Sequence, residues 1–109
     1  MNRVDLVGRV FGAPNIRYHN SQAQAKFAVS INRPSGKEDI IPCVTYDMAA
    51  EMFYGYLEEG SIIEVSGFLA SNEDSIVVVA KYIKPIEHKE QDPLMRGINY
   101  ARPVSRITS

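Results

Sequence analysis

Arg3, Asp5 and Arg9 alternate with Val4, Leu6 and Val10 along the opening run of the chain. In an extended strand, whose side chains point to opposite faces in turn, this pattern sends the valines and the leucine to a core and both arginines to the other side. A strand face with cations spaced along it suits an anionic partner. The rest of the chain bears on this through the placing of its charge. The 109 residues carry a net charge of -1, but residues 1–37 hold Arg3, Arg9, Arg17, Lys26, Arg33 and Lys37 against Asp5 alone. Residues 38–86 hold Lys81 and Lys84 against nine acids. If the first strands share a surface, it is locally basic on a slightly acidic protein; a mixed, solvated surface is the alternative.

Catalytic and metal chemistry find little support. His19 and His88 are isolated, and no pair of carboxylates or ligand spacing stands out. Cys43, the single cysteine, reads as a small buried hydrophobe and excludes an intrachain disulfide. Asp47 reads as a helix cap. No enzyme, cofactor or metal is expected.

The elements that must position these residues follow from periodicity. Gly8 interrupts the first strand on its buried side, where a glycine marks a bulge or bend that lets one strand serve two sheets. Phe11 to Asn15 is a break, Ile16-Arg17-Tyr18 a short extension, and His19 to Gln22 a turn into Lys26–Asn32, a hairpin. Asp39–Tyr46 is a third strand interrupted by Pro42 at an edge or bulge. From Asp47, the residues Met48, Ala49, Met52, Phe53, Tyr56 and Leu57 recur at helical spacing up to a stop at Gly60. Ser61–Ala70 and Ser75–Ile86 are the fourth and fifth strands; Ile76 to Val79 suits burial on both faces or a subunit contact. Beyond Pro85 the pattern fails. The expectation is one domain over residues 1–86 and a tail over 87–109, flexible or docked on that domain or a neighbouring subunit. No apolar run reaches the roughly 20 residues needed to span a bilayer, and no signal-peptide segment is present, so a cytoplasmic location is expected.

Three strands, a helix and two strands is the order of an OB-fold, a five-stranded Greek-key barrel, here all-β with one short helix between strands 3 and 4. The residues go further. Asn2-Arg3-Val4, Leu6-Val7-Gly8-Arg9, Pro14 and Ile16-Arg17-Tyr18, with Phe27-Ala28-Val29, Asn32-Arg33-Pro34, Ala49-Ala50-Glu51, Tyr56-Leu57, Gly60-Ser61 and Val65 to Leu69, resemble the bacterial single-stranded DNA-binding proteins over about residues 1–86. The resemblance implies an oligomer, a homotetramer rather than a homodimer, that wraps single-stranded DNA without reading its sequence, in replication, recombination or repair. By position it implies Arg3, Arg9 and Arg17 as phosphate contacts and Tyr46 and Phe68 as stacking faces. Tyr18, Lys26, Arg33 and Lys81 are secondary candidates.

The departures imply a weaker, more salt-sensitive site. The chain has no tryptophan, and Ile40 stands where the family carries one; the hairpin after the fourth strand has shrunk to Ala70–Asp74 with two acids. The ending Arg102–Ser109 lacks the family's acidic tip, so recruitment of replication enzymes through such a tip is not expected. The alternative is a protein-interaction OB domain of a primosome-like complex, similar to primosomal protein N.

Overall fold

A computed structural model describes residues 1–87; the expected tail, from residue 88 on, lies outside the described residues. The elements are β1 (Val4–Val10), β2 (Asn15–His19), β3 (Gln22–Asn32), β4 (Glu38–Tyr46), α1 (Asp47–Phe53), a 3-10 turn (Tyr54–Tyr56), β5 (Ile62–Asn72) and β6 (Ser75–Glu87). The strands run in the order β1-β5-β6-β4-β3-β2, and β1 also pairs with β3, which closes β1, β5, β6, β4 and β3 into the OB-type barrel. One joint is parallel, where Cys43 and Val44 of β4 meet Val78 and Val79 of β6.

Six strands stand where five were expected. The stretch around Ile16-Arg17-Tyr18 is a full strand, β2, an arm on the barrel's outer edge paired with β3 from Asn15↔Lys26 to His19↔Gln22. The turn between them is only Asn20-Ser21, both at positive φ (53° and 66°). This mirror-image turn matches the right-handed twist of the flanking strands, so both pair up to the turn itself.

The predicted seam is present in β1. It bonds to β5 from Val4↔Gly67 to Arg9↔Ile62 and to β3 at Arg9↔Ser30 and Val10↔Val29. Gly8 lies one residue before Arg9, where the two pairings overlap, and a Cβ on it would come within 2.4 Å of Val29 Cγ1 and 2.6 Å of the Ser30 carbonyl oxygen. Pro42 lies opposite Ala28, in the part of β4 before the parallel joint, where no neighbour requires its missing N–H. The core gathers Val10, Ala25, Phe27, Val29, Cys43, Leu57, Ile63, Val65, Val78 and Ile83.

The helix departs from its reading. It is seven residues long and gives way to the 3-10 turn, which contains Gly55; the capping position is Tyr46, with no side-chain cap, and Asp47 is the first helical residue at φ 55°. Ala50, Phe53 and Leu57 face the core, whereas Met48 and Met52 are exposed, because a helix of two turns laid across the barrel end covers only one narrow stripe.

Cys43 packs inside the barrel, and burial pushes its thiol up to about 12 from the ordinary 9.0. The native protein should therefore resist a disulfide thiol reagent at pH 8 and react only on unfolding. Since the folded value exceeds the ordinary one, this contribution to stability is intact below pH 9.0 and is lost as pH climbs towards 12, which denaturant titration at pH 8 and 10.5 will read. Gly8→Ala should cost about 3 kcal/mol in urea unfolding, because a backbone oxygen and a β-branched side chain already fill the space.

Candidate nucleic-acid interface

Directly opposed residues on neighbouring strands share a face, so the register decides which candidates meet. One row runs across four strand joints: Asn15↔Lys26, Lys26↔Val44, Val44↔Val79 and Val79↔Phe68. It lies on the outside of the sheet, since the alternate residues Phe27, Cys43 and Val78 point into the core. Val44 and Val79 are nevertheless buried, and Val44 lines one of the clefts on this side. A second row on the same side links Arg17↔Gln24 and Gln24↔Tyr46.

Two open clefts lie along this face. The first, about 220 Å³, is lined among others by Gln24, Lys26, Pro42, Val44, Tyr46 and Val77, so it joins a cation to an aromatic ring 45% exposed. The second, about 380 Å³, is lined by Met1, Asn2, Arg3, Ser66, Gly67, Phe68, Lys81 and Tyr82. It joins two cations to two rings.

A break in register builds the second cleft. Ser66 pairs with Tyr82 but Gly67 pairs with Ala80, leaving Lys81 as an extra residue on β6. The bulge places Lys81 beside Tyr82 at the cleft, and Gly67 permits it: a Cβ there would fall 1.8 Å from the Val79 carbonyl oxygen. Tyr82 stands edge-on to Phe53 of α1, ring centroids 5.5 Å apart at 81°, which fixes one edge while over half of the residue stays exposed. Sequence reasoning passed over Tyr82, although its alternation with buried Ile83 was the signal for an outward ring.

Asn2 ties the N-terminus to the cleft. Its side-chain amide donates to the Leu69 carbonyl (2.8 Å) and accepts from the Leu69 N–H (2.9 Å), extending the β1–β5 pairing beyond the strand's end. Arg3 is thereby held on the wall, where Nε and Nη2 donate to the two carboxylate oxygens of Asp5 (2.7 and 3.2 Å).

The remaining candidates lie apart from this face or are occupied. Arg9 donates to the Gly60 carbonyl (2.8 Å) and lines a separate cleft with Val7, Gly8, Ser30, Ile31, Asn32 and Ile62, which offers no aromatic ring. Arg33 pairs with Asp39 (2.8 and 3.0 Å) beside the β3–β4 turn. Tyr18 is exposed but opposite Ala23, whose side chain points inward, so it faces away from its neighbour Arg17. Arg17, Lys26 and Lys81 make no ion pair among the described residues. Also among the described residues, no group of three or more His, Cys, Asp or Glu is placed to hold a metal, and no helix is long and apolar enough to cross a membrane.

Because exposed rings and cations line open clefts rather than a deep pocket, the arrangement can accept a flat, repeating, anionic ligand. Replacing Gly67 with valine should displace Lys81 and Phe68 together and lower stability by about 3 kcal/mol or more, read by urea unfolding.

Comparison with known proteins bears on the family and the fold. The model of the single-strand binding protein family matches residues 1–81. The chain is 38% identical over 74 residues to a single-stranded DNA-binding protein of Oceanobacillus iheyensis, covering 62% of this chain and 46% of that protein. It is 41% identical over 76 residues to single-stranded DNA-binding protein A of Bacillus subtilis, covering 63% and 44%. The matched segment thus spans less than half the length of either relative. Among solved structures, the dimeric N-terminal domain of PriB protein from Thermoanaerobacter tencongensis superimposes with a TM-score of 0.68 at 25% identity, over 80% of this chain and 98% of that one. The domain of a Synechococcus protein solved as an SSB domain gives 0.70 at 18% identity, over 77% and 94%, a likeness of fold.

Proposed function

The chain belongs to the single-strand binding protein family, and on that premise we propose that its outer sheet face binds single-stranded DNA without reading sequence, in replication, recombination or repair. The observation that carries this reading is the cross-strand row from Lys26 through Val44 and Val79 to Phe68, which joins two clefts each holding a cation and an exposed ring. A single strand offers what such a face requires: a phosphate at every step for the cations, and a base whose flat face any aromatic ring accepts.

Lys26, Lys81 and Arg17 take phosphates in this reading, and Tyr46, Phe68 and Tyr82 take bases. Arg9 contributes charge at a distance from the rings, and Arg33 and Tyr18 contribute less, given where they point. The shallow clefts and the two-residue β5–β6 turn at Glu73-Asp74 favour a modest affinity with strong salt dependence. The same reading has the chain assemble with copies of itself, as a tetramer before a dimer; light scattering gives the mass.

The test is fluorescence-anisotropy binding to oligo-dT across a salt series. Tyr46→Ala should weaken binding by roughly 1 to 3 kcal/mol, the worth of one stacked base. Lys26→Ala should lower the slope of log K against log salt by about 0.7, the share of one phosphate on a single strand. Absence of binding even at low salt would overturn the reading in favour of a protein-interaction domain.

A further inference from the structure

The wall of the larger cleft carries an arrangement that the binding reading leaves unused. Arg3 and Asp5 lie two residues apart on one face at the start of β1, and the guanidinium meets the carboxylate side-on through two hydrogen bonds, 2.7 and 3.2 Å. Asp5 is also held from the neighbouring strand: Ser66, directly opposite it on β5, donates its hydroxyl to the same carboxylate at 2.7 Å. These contacts hold the Asp5 carboxyl below the usual carboxylate range, the Arg3 hydrogen bond acting most strongly, so it is charged at neutral pH. Two-pronged, side-on contact is also how a guanidinium takes a phosphate. The carboxylate therefore sits on the donors that a phosphate at the cleft would use.

We infer that Asp5 is an internal counter-anion, occupying Arg3 in the place of a nucleic-acid phosphate and setting how strongly the cleft holds a single strand. Three features of the site support this. Arg3 and Ser66 both line the cleft together with Phe68, Lys81 and Tyr82, so the pair stands at the binding surface. Lys81, on the same cleft, has no carboxylate partner among the described residues, so the occupation of Arg3 is specific to that side chain. Both partners are exposed, the side chains 67% and 45% accessible, so a strand's phosphate reaches the pair without unfolding anything. An exposed pair in water is weak, and exchange of one anion for another on Arg3 has little barrier. The cleft then acts with one working cation in place of two until a phosphate displaces the carboxylate.

This inference rests on the single-strand reading of the face, and one series of variants separates the two. Oligo-dT binding across a salt series is measured for the wild type, Asp5→Asn, Arg3→Ala and the double variant, with Glu64→Gln as a control that removes an equal charge from the next outward position of β5. Asparagine keeps the shape and still accepts the Ser66 hydroxyl. Asp5→Asn should bind severalfold more tightly at low salt and steepen the salt slope by about 0.7, the share of one phosphate contact, because no displaced carboxylate then takes up a cation. The gain should fall to under about twofold in the Arg3→Ala background, and Glu64→Gln should gain less than Asp5→Asn. An equal gain with and without Arg3 would mean that charge removal alone is at work and would overturn the inference. Weaker binding by Asp5→Asn would overturn it too, since Asp5 would then be aiming Arg3 at phosphate. If the wild type and every variant fail to bind at low salt, the single-strand reading falls and takes the inference with it.

Discussion

The face depends on the contact of a bare Cα with a carbonyl. At Gly67 the β5 backbone runs so close to Val79 of β6 that no side chain fits between them, and the register slips by one residue at that point. The slip leaves Lys81 unpaired, brings it beside Tyr82 and sets Phe68 opposite Val79. Val79 in turn meets Val44 across the parallel joint, and Val44 lies opposite Lys26. One close approach thus aligns side chains from four strands. Backbone packed against backbone leaves no room for a side chain at this point.

Electrostatics on this surface are local. The chain is acidic overall, yet the outward residues of β2 and β3 and the bulge of β6 supply Arg17, Lys26 and Lys81 with no carboxylate in contact. Three other arginines, Arg3, Arg9 and Arg33, are bonded to Asp5, the Gly60 carbonyl and Asp39. Counting basic residues overstates what a ligand would meet. On the proposed reading, the two lysines beside rings, and Arg17, have the stronger claim on a phosphate, because no partner must first be displaced.

The rings are held in different ways. Tyr82 is braced edge-on by Phe53, so α1, too short to bury Met48 and Met52, still serves the face by fixing one tyrosine. Tyr46 ends β4 at the point where the chain turns into the helix with Asp47 in the left-handed region, leaving its ring exposed beside Lys26. Phe68 is half-buried opposite Val79 and offers less surface than either tyrosine.

Much of the fold was legible because it rests on local geometry. The pleat forces alternation, so Val4, Leu6 and Val10 inward and Arg3 and Arg9 outward could be read from the first strand alone, as could that strand's place as the seam of the barrel, and Cys43 as core from its own strand. Single features of the helix were not legible: apolar Met48 and Met52 fit a helical period, but only the barrel end decides how wide a stripe is covered. The sequence by itself determined which side of its strand each candidate takes, Lys81 at the bulge excepted, together with the order of the elements and a membership that the family match extends over residues 1–81. Only the tertiary structure decided which candidates stand together. Lys26, Val44, Val79 and Phe68 are brought into line by pairings between strands far apart in the chain, and a shift of one residue in any joint would send a different set outward. It also decided that Arg3 comes with Asp5 already upon it, because Ser66, sixty-one residues away, holds that carboxylate in place.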